Sequence, residues 1–230
     1  AVTLTYNRNA DFHYCLFVDN AVASPTVDIN GGGAIYFGLN SKGNAVNCRF
    51  QGNTSGSASG GAIKVFNSTL ACVNCSFTNN TAGALAVWNN TGVYNTPTTI
   101  DAANCILWQN PPAEMLSNPA TSPSVPTITA TFCCLTPGTQ AATGVVLGAG
   151  NVFGDPGLLN AASGNHRILP NSICFDKGNG AAAGLPALDF EGDPRVLGAA
   201  VDIGADECDP SRAFLRSEEH TSELQSPNTI

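Results

Sequence analysis

Apolar and polar residues alternate along this chain in short runs, and glycine, asparagine or serine closes each run. In Asn47-Cys48-Arg49-Phe50-Gln51-Gly52-Asn53 the apolar Cys48 and Phe50 stand two apart. That spacing puts two side chains on one side of a strand. The phrase returns at Asn74 to Asn80, and in weaker form at Tyr14 to Asn20 and Asn104 to Asn110. Phe132 to Leu135 reads as a fifth copy without its asparagine, so that Cys15, Cys48, Cys75, Cys105 and Cys134 follow one another at nearly regular intervals. A second phrase alternates with the first: Gly32 to Phe37, Gly60 to Phe66 and, weaker, Ala82 to Trp88.

A repeat period of this length fits a helical repeat, a propeller blade or one coil of a parallel β-helix. β-Branched and aromatic alternation with dense turns disfavours helices. A blade needs four strands and a longer unit. The pattern therefore predicts an all-β chain, a parallel β-helix. Coils are expected over 1–135, an irregular C-terminal module over 136–210, and a disordered tail over 211–230. Successive coils lie about 4.8 Å apart, so equivalent residues form ladders. Cys48 and Phe50, like Cys75 and Phe77, are expected to fill one core, with cysteine acting as a small hydrophobe. Asn53 and Asn80 fall where the strand must turn, and asparagine tolerates the left-handed backbone. Their amides can also bond from rung to rung. The Gly-Gly pairs suit corners with positive φ.

Composition narrows the function. Charged residues make up 11% of the chain, against about 25% in an ordinary domain, so long salt-bridged helices are excluded. A net charge of −8 argues against nucleic acid as partner, whose phosphates call for a basic footprint. No apolar run reaches transmembrane length. The chain opens at Ala1 inside a strand-like stretch and reads as a fragment or processed form. Charge turns dense only at the end. Arg216 to Ser226 resembles the in-frame translation of a common sequencing adapter, and a barcode accounts for Pro227 to Ile230. Setting 216–230 aside as an artefact takes Lys+Arg from 9 to 8 and Asp+Glu from 17 to 14, a net charge of −6. The natural C-terminus is then expected to lie elsewhere, and an open rung edge at the N-terminus is expected to promote aggregation by edge pairing.

Phe17 to Asn20, Phe50 to Asn53 and Phe77 to Asn80, alternating with Gly32 to Ile35 and Gly60 to Ile63, resemble the repeat pair of polymorphic outer-membrane and autotransporter-type right-handed β-helix proteins, which implies a right-handed single-stranded parallel β-helix of the pectin-lyase-like kind. From about 145 the chain is similar to the choice-of-anchor Q module of bacterial surface β-helix proteins. The matching positions are Gly150–Asn151, Asp155–Pro156, Arg167 to Pro170, Ser172, Asp176, Gly178, Asp189, Gly192, Pro194–Arg195 and Asp202 to Glu207. Two departures stand out: Asp206 replaces the aromatic of the usual ending, and Pro170 to Cys174 replaces a Ser-Pro-Ala core. The resemblance implies a secreted protein, extracellular, at a bacterial cell surface or outer membrane, with surface glycans or other cell-surface components as partners and a role in adhesion, display or carbohydrate contact.

Candidate chemistry is sparse. Cys72 and Cys75 form a lone CxxC, and only His13 and His166 lie outside the adapter-like run, which leaves a zinc site without a second pair. No thiol has a visible cationic or histidine activator. The nine cysteines are read as a reduced core ladder or as including a bridge, Cys133–Cys134 and Cys174–Cys208 being the candidates. Among Asp176, Asp189, Glu191, Asp193, Asp202, Asp206 and Glu207, the residues Asp189, Asp193 and Asp202 are weak calcium candidates. The competing reading is turn capping and pairing with Arg195 and Arg167. No metal or other cofactor is assigned. The coils offer Arg8, Asp11, Asp19, Asp28, Lys42, Arg49, Lys64, Asp101 and Glu114, scattered among repeats. No catalytic residue is singled out. A non-catalytic surface β-helix is the first reading, and a pectin-lyase-like polysaccharide lyase or glycoside hydrolase is the alternative. A catalytic site in the coils would belong where the repeated phrase breaks.

Overall fold

The computed structural model describes residues 1–23, 31–56, 60–89, 97–118 and 125–211. Among these the chain is a parallel β-helix of three sheets, entered in turn by each coil. Sheet A holds Val2–Thr5, Ile35–Gly38, Ile63–Phe66, Leu85–Trp88 and Met115–Asn118. Sheet B holds Asn9–His13, Lys42–Val46, Thr69–Val73, Thr99–Ala103, Thr127–Thr131 and Val145–Leu147. Sheet C holds Leu16–Val18, Arg49–Gln51, Ser76–Thr78, Ile106–Trp108, Cys134–Leu135 and Val152–Phe153. Sheets B and C thus gain a sixth strand beyond 135, where the coils were expected to stop.

Alternation does what the pattern predicts. Inward residues of the three sheets, such as Ile35, Ile63 and Leu85, Ala45 and Cys72, and Phe50 and Phe77, make one continuous core. Phe17 pairs in register with Phe50, and Phe50 with Phe77. Their rings stack at 4.8 and 4.7 Å with interplanar angles of 3° and 6°. That is the rung spacing itself, so ring stacking and main-chain pairing reinforce one another.

Three corners close each coil. Between sheets A and B, Ser41 Oγ accepts from Arg8 N at 3.3 Å and Ser68 Oγ from Ser41 N at 3.0 Å. Between sheets B and C stands a single left-handed residue: Tyr14, Asn47, Asn74, Asn104 or Phe132, with φ from 48° to 55°. After sheet C the left-handed residue is Asp19, Gly52, Asn79 or Gln109. The asparagine that follows each of these is not the left-handed residue, contrary to the expectation for Asn53 and Asn80. Its side chain turns inward instead and builds a ladder. Asn53 Oδ1 accepts from the main chain and amide of Asn20, Asn80 Oδ1 from those of Asn53, and Asn110 Oδ1 from those of Asn80, all at 2.8–3.0 Å. The second glycine of the GGA phrase also has a different role from the positive φ expected. Gly61 is needed for close approach, because a Cβ there would stand 2.0 Å from the Thr81 carbonyl oxygen of the next rung.

The cysteine ladder is Cys15, Cys48, Cys75, Cys105 and Cys133, not Cys134. Cys134 is the first residue of its sheet C strand and faces outward, into a second cluster with Ile106, Ile168, Cys174, Ile203 and Cys208. Adjacent Cys133 and Cys134 thus point to opposite sides of the sheet, which overturns a bridge between them. After Phe153 the chain makes an antiparallel pair, Leu158–Asn160 with Asn165–Ile168, around a 3-10 turn at Ala161–Ser163. Residues 169–211 then return over the outer side of sheet C. Asp28 and the tail from 212 on, including the adapter-like run, lie outside the described residues. No helix among the described residues is long and apolar enough to cross a membrane.

Candidate functional site

The coil carboxylates do not converge. Asp11 and Asp101 share one outward column of sheet B, Asp11–Asn44–Ala71–Asp101–Thr129. Three rungs separate them, about 14 Å. Paired-carboxylate hydrolysis works at roughly 5–10 Å. Asn44 Nδ2 donates to Asp11 Oδ1 at 2.7 Å, and Asp19 lies at a corner with its carboxylate over Gly52. The cations are dispersed too. Lys42 is exposed on sheet B, Lys64 Nζ is buried 4.3 Å from the Trp88 ring, and the Arg49 guanidinium lies 3.7 Å over Phe190.

The outer faces of the sheets differ in access. On sheet A, Tyr36, Lys64 and Ala86 point outward and are buried. On sheet C the C-terminal module covers Ser76, Thr78 and Ile106. Sheet B keeps Lys42, Asn44 and Asp101 exposed, and Thr69, Thr99, Thr127 and Thr129 half-buried. Lys42, Thr69, Thr99 and Thr127 form one register column beside the Asp11 column. These two columns carry mostly hydroxyl, amide and carboxylate groups at rung spacing, while the third outward column has Val46 and Val73 buried.

The module is held by the left-handed corner asparagines. Asn74 Nδ2 donates to the carbonyls of Asp202 and Gly204 at 3.1 Å, Asn47 Nδ2 to that of Leu188 at 2.6 Å, and Asn104 Nδ2 to that of Asn179 at 3.1 Å. Arg195, buried, donates to the carbonyls of Gly204 and Ala205 and to Asn47 Oδ1, and pairs with Glu207 at 3.4 Å. The calcium candidates are engaged otherwise. Asp189 accepts main-chain N–H groups of Glu191 and Asp193 on Oδ1 and of Glu207 on Oδ2, at 2.8–2.9 Å. Asp202 accepts from Asp176 N on Oδ1 at 2.6 Å and from Cys208 N on Oδ2 at 2.7 Å. Asp193 N donates to Asp189 Oδ1 and its carbonyl accepts from Asp189 N, and no group of three or more His, Cys, Asp or Glu among the described residues is arranged to hold a metal ion. Turn capping and arginine pairing, Arg167 with Glu191 at 2.8 Å included, account for the cluster.

Burial drives the electrostatics of this module. Burial, with Glu191 and Asp189 nearby, pushes the Asp206 carboxyl up to about 8, and its Oδ2 accepts from Ile168 N at 3.1 Å. Burial also raises Asp202 to about 6 and, with Asp202 beside it, Glu207 to about 8. Burial and the Arg49 charge hold the His166 imidazole down at about 4, its Nε2 3.1 Å from Thr78 Oγ1. Asp206 is thus a buried carboxyl that favours its neutral form.

The repeated phrase breaks after Asn110, and a cleft of about 790 Å³ opens there between residues 109–117 and 136–145. Glu114, buried beside it, ends the asparagine ladder: its carboxylate accepts from Asn110 N, Asn110 Nδ2 and Thr136 Oγ1. Burial raises its pKa. No other lining residue is acidic, basic or histidine. The arrangement is a capped ladder beside an apolar wedge, and it supplies one carboxyl where acid–base hydrolysis needs two. Reading the sequence by its repeats placed Glu114 among scattered coil charges. The signal that marks it is its position four residues after the last ladder asparagine.

Comparison of the chain with protein-family models, with curated proteins and with solved structures found no match.

Proposed function

We propose that this chain is a non-catalytic, secreted β-helix displayed at a bacterial cell surface, contacting glycans or other surface components through the outer face of sheet B. The observation that carries this reading is the difference in access among the faces. From the second rung on, the outward residues of sheet A are buried or half-buried and those of sheet C lie under the module, while sheet B keeps two polar columns open, those of Lys42 and Asp11, beside a buried Val46–Val73 column. Aligned hydroxyls, amides and carboxylates suit the repeating hydroxyls of an extended glycan. The resemblance of about 132–207 to the choice-of-anchor Q module supports surface anchoring, with the module next to the anchor.

The test is co-sedimentation with a panel of insoluble polysaccharides, using the protein and a Thr99→Ala/Asp101→Ala variant. Both positions face outward, so the fold should survive and binding should fall at least several-fold. Retention of a glycan by the variant at wild-type affinity would move the contact off sheet B. The lyase or hydrolase reading is tested in parallel with polyuronates and Ca²⁺. Growth of ultraviolet absorbance from an unsaturated product, or release of reducing ends, would refute the non-catalytic reading.

A further inference from the structure

Cys134 and Cys174 belong to different parts of the molecule, yet several contacts bring them to one place. Cys134 opens the fifth sheet C strand and faces outward; Cys174 lies in the irregular module, and both are fully buried in the same cluster. Gly154 N donates to the Leu135 carbonyl, and Cys134 Sγ donates to the Gly154 carbonyl at 3.5 Å. Ile173, the neighbour of Cys174, sits against Gly154, its Cδ1 only 3.1 Å from where a Cβ would be. From the other side, Ile203 N donates to the Cys174 carbonyl at 3.0 Å, while Gly204 rests on Ile106, the register neighbour of Cys134. Cys174 is therefore pinned over Cys134 from both directions. The neighbouring Cys174 thiol, with burial, pushes the Cys134 thiol up.

The core cysteines differ in kind. Cys48, Cys75, Cys105 and Cys133 each donate to main-chain carbonyls of their own or a neighbouring rung, and their strands run parallel. Parallel neighbours do not aim their Cβ atoms at each other. Cys134 and Cys174 approach from separate elements and are not bound by that constraint.

We propose that Cys134 and Cys174 form a disulfide that locks the C-terminal module onto the last coils. The reaction is thiol–disulfide exchange with a low-molecular-weight disulfide. One cysteine, as thiolate, attacks it and releases one small thiol. The second cysteine attacks the mixed disulfide and releases the other. The two cysteines lose two protons and two electrons in all, and the small disulfide is reduced to two thiols. The link closes the loop from Leu135 to Ile173, which spans the sixth coil strands and the antiparallel pair. Because both sulfurs are buried once the module docks, the bond is expected to form during folding and then to resist reductant until the module lifts.

The test refolds the full chain in a glutathione redox buffer, alkylates free thiols under denaturing conditions, and maps the peptides by mass spectrometry without reduction. One linked pair is expected, lighter by two hydrogens than its two thiol peptides. Fragmentation between Cys133 and Cys134 should assign the bond to Cys134, and the remaining cysteines should carry the alkyl group. Cys174 recovered alkylated, or linked to Cys208, would overturn the proposal. Melting with and without reductant gives a second readout that does not depend on mapping. The wild type should melt several degrees lower when reduced before unfolding. Cys174→Ala should show no such dependence, and Cys208→Ala should keep it. Loss of the dependence in Cys208→Ala alone would also overturn the assignment.

Discussion

Asn80 is the centre of the internal ladder, and its replacement by alanine tests what holds the coils in register. Its side chain takes part in four hydrogen bonds. Oδ1 accepts from Asn53 N at 3.0 Å and Asn53 Nδ2 at 2.9 Å, and Nδ2 donates to Phe50 O at 3.0 Å and Asn110 Oδ1 at 2.8 Å. All of these lie in the buried interior. At about 1 kcal/mol net for each bond, with a further penalty where a buried partner is orphaned, Asn80→Ala should cost about 4–6 kcal/mol. That is a large share of the roughly 5–15 kcal/mol by which a domain is stable. Asn20 is the matched control. It stands on the first rung, half-buried, and its amide donates to Asn53 Oδ1 and Val18 O at the edge of the ladder, so Asn20→Ala should cost about 1 kcal/mol. Urea unfolding followed by far-ultraviolet circular dichroism measures both. A cost for Asn80→Ala below about 1.5 kcal/mol, or a cost for Asn20→Ala equal to it, would refute the claim that the buried ladder is a main source of stability.

Gly61→Ala should destabilise by several kcal/mol, since its Cβ would strike the Thr81 and Asn53 carbonyl oxygens at 2.0 and 2.8 Å, whereas Gly180→Ala, with nothing within 4 Å, should change the urea midpoint little. Phe50→Ala should cost about 3–5 kcal/mol, and Phe50→Leu distinctly less because it keeps most of the volume. Stability should also depend on pH. Asp206, raised from 3.8 to about 8, contributes stability that is complete below about pH 4 and is lost as pH rises through 8, and Glu207 acts with the same sign. His166, lowered from 6.5 to about 4, contributes stability that is complete above 6.5 and is lost as pH falls through 4. The two effects oppose one another below pH 6.5, and above it the carboxyls act alone. Stability should therefore fall by at least about 1 kcal/mol per unit from pH 6.5 to 8, with a shallower fall in Asp206→Asn. A flat or rising profile over that range would contradict the burial argument. Calcium should leave the melting temperature unchanged against a chelator, because main-chain N–H groups occupy both oxygens of Asp189 and of Asp202.

The coil architecture was readable because its repeats alternate with a period of two and recur at a nearly constant interval, so that Cys48, Phe50 and Asn53 must meet Cys75, Phe77 and Asn80. Single-residue details were not. The fifth cysteine could be Cys133 or Cys134 by spacing, and only the position of the left-handed Phe132 selects Cys133, which directly follows it. The module was harder still. Its contacts join residues far apart in the chain, such as Asn74 with Asp202 and Asn47 with Arg195, and no local pattern announces them. Asp189 and Asp202 were weak calcium candidates because a carboxylate that caps a turn and one that binds a cation look alike in sequence. In the structure both cap turns through main-chain N–H groups.

The two asparagines of the repeated phrase explain why two outward columns of sheet B are left uncovered. The second asparagine of each copy turns inward, where its amide can serve only the next rung. The first sits left-handed at the corner between sheets B and C, and its amide points out of the coil. In Asn47, Asn74 and Asn104 those outward amides align along one edge and hold Leu188, Asp202, Gly204 and Asn179 of the module. A module tied to that edge must lie over a sheet beside it, and it lies over sheet C. Sheet B, on the other side of the same corner, has its outward Val46–Val73 column buried there but keeps the Lys42 and Asp11 columns open. Those two columns are free of the packing constraint that fixes sheet C. A glycan contact that depends on Asp101 and Thr99, but not on the corner asparagines, would follow from this division. Removing a corner amide, as in Asn74→Ala, should loosen the module while leaving that contact intact.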